Sequence, residues 1–127
     1  MKHIDRLTVQ QLNRLAAKAQ WKLKKREFGD HYDTVDTVDY WIEKKKIWLS
    51  EYDPCHNGQQ AMDLLKKYSI YLEPFWITSN NIPWIALCEK ATEIDWQEAT
   101  TPELAIVKAV VASKYGMEID EGELKNE

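Results

Sequence analysis

The chain has 127 residues, 44% of them hydrophobic, which is enough apolar surface for one domain to bury a core without disulfides or a structural metal. Its formal net charge of −4 is too small to predict either the wrapping or the mimicry of nucleic acid. The two cysteines, Cys55 and Cys88, are too few for a disulfide framework and lack a paired zinc-binding spacing. We predict a single domain over residues 1–127 with reduced thiols, no cofactor and no metal.

The charges are unevenly distributed along the chain. Residues 1–26 hold eight Lys or Arg and one acid, residues 27–88 hold five Lys or Arg and ten acids, and residues 89–127 hold four and ten. No secretion signal is predicted, because the N-terminus lacks an apolar h-region. No membrane span is predicted, because no stretch approaches the roughly 18 consecutive apolar residues that a span needs. We expect a soluble cytoplasmic protein whose basic first segment docks electrostatically on a partner or on another copy of the chain.

A capping box predicts the first helix, over about residues 8–22. Thr8 is the predicted N-cap, and Gln11 stands three residues later. The predicted buried stripe consists of Leu12, Leu15, Ala16 and Ala19. On this spacing Arg14 and Lys18 fall on the open face of the helix. The predicted basic surface consists of Arg14, Lys18, Lys22, Lys24, Lys25 and Arg26.

Residues 29–39, GDHYDTVDTVD, contain Asp-Thr-Val twice. Their acids lack the spacing of a calcium loop, so we interpret the segment as a solvated acidic loop or strand edge. Beyond it, aromatic and β-branched residues flank the lysines at 44–46, a pattern that predicts a hairpin over residues 38–50. The alternative is a platform for single-stranded nucleic acid, which is disfavoured because the rest of the chain is acidic and repels phosphates.

A second helix is predicted to begin at Asn57 as the N-cap, with Gln60 completing a capping box. Its predicted buried stripe consists of Ala61, Leu64, Leu65 and Tyr68. Residues 69–72 then form a strand that Pro74 ends, and residues 83–88 form its antiparallel partner.

Residues 89–99 are predicted as an acidic loop. One of the threonines at 100–101 caps a third helix, which has Pro102 in its first turn and ends at Gly116. Its main buried stripe consists of Leu104, Val107, Val111 and Tyr115, widened by Ile106 and Val110. The polar tail at 120–127 is predicted to fray. About three helices and a small, largely antiparallel sheet make an α+β domain, an α/β sandwich.

The stretch EYDPCHNGQQ, residues 51–60, allows two interpretations, an active site at Cys55-His56 or a turn that begins the second helix. A thiol nucleophile needs a base aimed at it, and sequence neighbours seldom aim at each other, so His3 or His31 would have to approach. No oxyanion-hole or nucleophile-elbow pattern accompanies the cysteine. We therefore favour the turn and assign no catalytic residue.

Two further chemistries remain open at this turn. A metal site of Cys55, His56 and Cys88 would lack a fourth ligand, so a structural role is favoured over it. The backbone amides at Gly58 are positioned to approach an anion, such as a nucleotide-like ligand, although an ordinary capped helix is the simpler interpretation. The predicted contact set for a ligand or partner consists of Trp48, Tyr52, His56, Asn57, Gly58 and Trp84.

Five short blocks of the chain carry a family likeness. They are Tyr52-x-Pro54, Ile70-Tyr71-Leu72, Trp84-x-Ala86, Thr101-Pro102-x-Leu104-Ala105 and Val111-Ala112-Ser113-Lys114-Tyr115-Gly116. In this order the blocks resemble the NinX family of bacteriophage accessory proteins and, more broadly, the phage ABA sandwich domain. The closing block is the most specific. Residues 7–19 show a looser likeness, a leucine-rich opening followed by Ala-Lys-Ala.

The resemblance implies a small α/β sandwich that is made in the host cytoplasm during infection and has no enzymatic activity. It also implies a protein-interaction module for a host or phage protein, and antagonism of a host defence or regulatory system is our hypothesis from that setting. Such sequences commonly place Ser or Thr where this chain has Cys55, which favours a turn residue there. The alternatives are self-association, a small anionic ligand and, less favoured, a thiol hydrolase or a binder of single-stranded nucleic acid.

Overall fold

The structure, a computed structural model, describes residues 1–28, 37–74, 84–89 and 96–124. The helices are α1 (Val9–Gln20), α2 (Gly58–Tyr68), α3 (Pro102–Tyr115) and α4 (Glu121–Leu124), with 3-10 turns at Ile4–Arg6 and Leu49–Glu51. The strands are β1 (Lys2–His3), β2 (Leu23–Phe28), β3 (Thr37–Ile42), β4 (Ile47–Trp48), β5 (Ile70–Pro74), β6 (Trp84–Cys88), β7 (Gln97–Ala99) and β8 (Glu118–Ile119).

The described strands form three small antiparallel sheets. Strand β1 pairs with β8, the order β2-β3-β4 makes a second sheet, and β5-β6-β7 makes a third. The predicted α+β class is therefore confirmed, as is the antiparallel pairing of β5 with β6. The predicted single small sheet is therefore replaced by three sheets among the described residues.

Helix α3 lies at the centre of the fold. It packs against all three strands of the β5-β6-β7 sheet and also against α1 and α2. The buried residues of α3 are Ala105, Ile106, Val107, Ala109, Val110, Val111 and Ala112. The predicted stripe, although widened by Ile106 and Val110, was too narrow, because neighbours on several sides require an apolar surface around most of the helix. Leu104 and Tyr115, predicted as stripe residues, are half-buried.

The ends of the long helices follow local capping chemistry. Thr8 Oγ1 accepts a hydrogen bond from the backbone of Gln11 at 3.1 Å, and Gln11 Oε1 accepts one from the backbone of Thr8 at 2.9 Å, which confirms the predicted capping box. Thr101 caps α3, and Gly116 ends it with φ +84°, a left-handed value that suits glycine. These bonds satisfy amides and carbonyls that the helix ends would otherwise leave unpaired.

The second sheet contains one confirmed hairpin and one strand that the sequence patterns missed. The predicted hairpin at 38–50 is present as β3 and β4. The two strands are joined by the turn at residues 43–46, called the lysine turn below because it contains the lysines at 44–46. Strand β2 follows α1 directly and pairs with β3 along its whole length, placing Lys25 opposite Tyr40. The first copy of Asp-Thr-Val lies outside the described residues, as does Asp36.

Three further segments differ from the predictions. Strand β7, Gln97–Ala99, falls inside the predicted loop 89–99, whose residues 90–95 lie outside the described parts of the chain. Residues 118–124, partly predicted to fray, form β8 against β1 and the short helix α4 against α1. None of the helices in the described ranges has the length and apolar character that crossing a membrane requires.

Leu64 provides a test of the helical core. Its side chain, on α2, is 1% exposed and belongs to the main hydrophobic cluster. We expect Leu64→Ala to lower the free energy of unfolding by about 2–5 kcal/mol, because the lost side chain leaves a cavity. Met62 on the same helix is 43% exposed, so Met62→Ala should change it by less than about 0.5 kcal/mol. Equal effects of the two substitutions in urea unfolding would contradict this packing.

Candidate functional site

An open cleft of about 810 Å³ lies between α1, the end of the β2-β3-β4 sheet and the turn that precedes α2. The residues that line it are Val9, Gln10, Asn13, Arg14, Asp39, Tyr40, Leu49, Ser50, Tyr52, Asp53 and His56. Apolar side chains from α1 and the 3-10 turn therefore stand beside a set of polar groups. This combination is typical of a recognition site, where apolar surface supplies affinity and polar groups supply orientation.

Asn13 fixes one wall of the cleft. It is 7% exposed, and its amide nitrogen donates to Asp53 Oδ1 at 2.7 Å. Its amide oxygen accepts a hydrogen bond from the backbone nitrogen of Cys55 at 3.2 Å. A buried asparagine on α1 thus holds the turn at 53–55 through both ends of its side chain. The turn cannot shift against α1 without breaking two hydrogen bonds.

Asp39 and Ser50 fix the opposite wall. The hydroxyl of Ser50 donates to Asp39 Oδ2 at 2.6 Å, and Asp39 Oδ1 accepts from the backbone nitrogens of Tyr40 at 2.7 Å and Ser50 at 3.3 Å. These bonds attach strand β3 to the 3-10 turn at Leu49–Glu51. The arrangement also determines the chemistry of Ser50, because the hydroxyl proton is directed at Asp39 and not at His56.

His56 is the exposed member of the cleft. Its Nδ1 lies 2.9 Å from Asp53 Oδ2 and 3.1 Å from Asp53 Oδ1, and 67% of its side chain is exposed. The carboxylate orients the ring through Nδ1, which leaves Nε2 as the nitrogen available to a bound molecule. The predicted role of His56 as a contact residue is compatible with this placement.

Cys55 is a buried structural residue. It is 4% exposed within the hydrophobic cluster, and burial, followed by the charge of Asp53, raises the pKa of its thiol from 9.0 to about 12. A thiol in this environment stays protonated at neutral pH, whereas a nucleophilic cysteine needs a lowered pKa. His56 is bonded to Asp53, so the neighbouring imidazole is already engaged. The geometry therefore supports the turn interpretation of EYDPCHNGQQ.

The six predicted contact residues do not form one site. Tyr52 and His56 line the cleft, while Asn57 and Gly58 lie at the adjoining start of α2. Trp48 packs edge-on against Trp41 with ring centroids 5.0 Å apart. Trp84 lies on β6 in the third sheet, packed partly against the core. Neither Trp48 nor Trp84 is among the described residues that line the cleft.

The predicted capping box of α2 is only half present. Asn57 accepts a hydrogen bond from the backbone of Gln60 at 3.0 Å, as expected for an N-cap. Gln60 does not return the bond to Asn57, since its Oε1 accepts instead from the backbone nitrogen of Asp53 at 2.7 Å. A Cβ placed on Gly58 would come 4.0 Å from a carboxylate oxygen of Glu103. That negative charge beside the amides disfavours the anion site predicted there.

The predicted basic surface also needs correction. Arg14 is only 9% exposed, with its guanidinium 5.0 Å from the centre of the Tyr40 ring, so it belongs to the cleft wall. Lys18 Nζ lies 2.8 Å from a carboxylate oxygen of Glu123 on α4. Of the others, Lys22, Lys24 and Lys25 are exposed, and the side chain of Arg26 lies outside the described residues. Part of the positive charge is therefore satisfied within the chain, because α4 covers that face of α1.

The residues missed from the sequence include the four whose hydrogen bonds fix the cleft walls, namely Asn13, Asp39, Ser50 and Asp53. Only Asn13 carried a usable signal, since an asparagine beside the apolar stripe of a helix needs hydrogen-bond partners when it is buried. In the described ranges of the chain, no three His, Cys, Asp or Glu side chains are grouped so as to hold a metal ion.

The fold and the cleft define a small α+β protein with an open, polar cleft whose walls are fixed by hydrogen bonds. Comparison with known proteins finds no matching family model, no matching curated protein and no matching solved structure. The resemblance to the NinX family therefore stays a prediction that rests on the short blocks described above.

Asn13→Ala tests the wall of the cleft. The substitution removes the acceptor for the buried amide of Cys55 and the donor to Asp53, so we expect the free energy of unfolding to fall by about 1–3 kcal/mol. The control is Gln59→Ala, because Gln59 is exposed on α2 and bonds only across the helix surface to Asp63. Urea unfolding should show less than about 0.5 kcal/mol for the control. An unchanged stability of Asn13→Ala would show that Asn13 does not hold the turn.

The raised pKa of Cys55 predicts a decline in stability at alkaline pH. The folded state keeps the thiol proton up to a pKa of about 12, whereas the unfolded thiol loses it near 9.0, so this contribution is complete below pH 9 and is lost as the pH rises toward 12. Burial also raises the pKa of the Tyr52 hydroxyl, from 10.0 to about 12, so Tyr52 adds to the loss of stability at alkaline pH. We expect Cys55→Ala to show a shallower decline by urea unfolding. Rapid alkylation of folded Cys55 at neutral pH would contradict the assignment.

Proposed function

We propose that this protein is a non-enzymatic interaction module that holds a segment of a partner protein in the cleft. The observation that carries the proposal is that the cleft is preformed. Hydrogen bonds from Asn13 to Asp53 and from Ser50 to Asp39 fix both walls, while His56 extends from the surface beside apolar Val9 and Leu49. A site that is already ordered loses less conformational entropy when it binds.

The chemistry of the two candidate nucleophiles supports binding over catalysis. Cys55 is buried with a strongly raised pKa, so its thiolate is scarce at neutral pH. Ser50 donates its hydroxyl proton to Asp39, a weak base, while the stronger base His56 is oriented by Asp53. An activated nucleophile requires its base within hydrogen-bond reach, and here the hydroxyl and the imidazole are each bonded to a different carboxylate.

The charges in the cleft indicate the kind of partner. The lining contains the carboxylates of Asp39 and Asp53 and one guanidinium, that of Arg14. This balance favours a neutral or cationic polypeptide segment over an anionic ligand. The carboxylate of Glu103 near Gly58 adds to the negative charge beside the cleft. We therefore prefer a protein partner to a nucleotide-like ligand at this site.

The resemblance to the NinX family suggests in which cell the protein acts and what kind of partner it binds. On that basis the protein is a bacteriophage accessory protein that acts in the cytoplasm of the infected bacterium. Its partner is a host or phage protein, and we extend the hypothesis to antagonism of a host defence or regulatory system. A second copy of the chain is the other partner considered, and it is distinguished by the assembly state in solution.

Two cleft variants test the proposal. We expect His56→Ala and Gln10→Trp to weaken binding of the captured partner at least about tenfold, which corresponds to about 1.4 kcal/mol. His56→Ala removes the exposed contact, and Gln10→Trp fills the rim from an exposed position on α1. The measurement is affinity capture from infected cells at low and high salt, followed by titration of the purified partner.

The control variant is Gln59→Ala, which alters an exposed residue of α2 outside the cleft lining. It should capture the same protein with unchanged affinity. The proposal fails if both cleft variants bind as well as the unaltered chain. It also fails if the protein stays monomeric at every concentration and no captured protein depends on the cleft residues.

A further inference from the structure

A second pocket, of about 470 Å³, lies where the end of α1, the lysine turn between β3 and β4, and helix α2 meet. Its lining residues are Gln20, Trp21, Lys44, Lys45, Ile47, Tyr52, Gln60, Asp63 and Lys67. Tyr52 separates this pocket from the cleft and lines both. The two sites have opposite charge, since three ammonium groups and one carboxylate surround the second pocket.

Three lysines from two separate elements line this pocket, and two of them lie over the ring of Trp21. Lys45 Nζ lies 5.7 Å and Lys67 Nζ 5.3 Å from the centre of the Trp21 ring, and Lys44 lines the same pocket. Lys67 also donates to the side-chain oxygen of Gln20 at 3.3 Å. Within the part of the chain that the structure describes, these three lysines form no ion pair with a carboxylate. The neighbouring Lys46 does have such a partner, Glu43, at 3.6 Å.

The positive charges around this pocket repel one another. The pKa of Lys67 is lowered by burial, then by the charges of Lys45 and Lys44. Among the described residues of the lining the one carboxylate is that of Asp63, which accepts a hydrogen bond from Gln59 at 3.1 Å. The like charges of Lys45 and Lys44 disfavour the protonated state of Lys67. An anion placed among the lysines would reverse that effect, because each ammonium would gain an opposite charge.

The other walls of the pocket are aromatic and apolar. The Trp21 ring meets the Tyr52 ring edge-on, with centroids 5.3 Å apart, and Ile47 completes this side. The Tyr52 hydroxyl accepts a hydrogen bond from Gln20 at 2.9 Å, which holds the aromatic pair in place. A ligand that combines a phosphate with an organic group would match both parts, with its oxygens at the ammonium groups and its apolar part against Trp21 and Ile47.

We propose that this pocket binds a small molecule carrying a phosphate group, at a site distinct from the partner-binding cleft. The shared chemistry is the phosphate, which Lys44, Lys45 and Lys67 contact as point charges. The pocket volume leaves room for an attached organic group. The inference does not depend on the proposed partner binding, because different residues carry it.

Direct binding measurements test the site with inorganic phosphate, adenosine monophosphate and uncharged adenosine as probes. At low salt we expect inorganic phosphate or adenosine monophosphate to bind saturably, to change tryptophan fluorescence and to raise the melting temperature. Adenosine should produce none of these three effects, and added salt should weaken the binding of the charged probes. Tighter binding of adenosine monophosphate than of inorganic phosphate would indicate that the organic group contacts the apolar wall of the pocket.

Two matched variants on α2 distinguish binding in the pocket from a general effect of surface charge. Lys67→Gln should weaken phosphate-dependent binding at least about tenfold, and Lys45→Gln should do the same from the other element. Lys66 is the adjacent residue, is exposed and is absent from the lining, so Lys66→Gln should bind normally. Circular dichroism melting should show that Lys67→Gln is folded at the temperature of the binding assay, because Lys67 is exposed on α2.

The proposal is overturned if neither inorganic phosphate nor adenosine monophosphate binds at low salt, or if adenosine binds as well as its monophosphate. It is also overturned if Lys66→Gln weakens binding as much as Lys67→Gln does. Partner capture through the cleft is measured separately with the His56→Ala variant, so failure of one proposal leaves the other standing.

Discussion

The enclosure of α3 on several sides is the constraint on which the rest of the structure depends. Its small residues Ala105, Ala109 and Ala112 are buried, so α1, α2 and the β5-β6-β7 sheet can approach the helix closely. Burial of this surface holds α1 and α2 in fixed positions. Asn13 lies on α1, and the turn at 53–57 leads into α2. The shape of the cleft therefore depends on how α1 and α2 pack against α3.

Polar contacts at the edges of this core connect the elements that surround it. Asn13 ties α1 to the turn before α2, Asp39 ties β3 to the 3-10 turn, and Lys18 ties α1 to α4. The uneven distribution of charge along the chain is partly explained by these contacts, because basic α1 meets the acidic end of the same chain. What remains at the surface is a cleft with an excess of carboxylates and a pocket with an excess of ammonium groups, separated by Tyr52.

Local chemistry was readable from the sequence, and pairing between distant segments was not. The caps at Thr8, Asn57 and Thr101 and the stop at Gly116 were all predicted, because each depends on residues within one or two turns. Strand β2 was missed because its run of basic residues lacks the usual strand pattern. Its extended conformation is stabilised by pairing with β3. Strand β7 and helix α4 are short and are stabilised by β6 and α1. Of the predicted contact residues, Tyr52 and His56 line the cleft, whereas Trp48 and Trp84 pack elsewhere.

The sequence by itself determined the α+β class, the three long helices, the β3–β4 hairpin and the turn that begins α2 at EYDPCHNGQQ. These features follow from side-chain periodicity and capping, which act over a few residues. Only the tertiary structure decided that Arg14 is buried, that Cys55 is kept protonated, and that Asn13 and Asp53 meet across 40 positions of the chain. Burial, pKa and long-range hydrogen bonds depend on which surfaces pack together, and packing is a property of the folded chain as a whole.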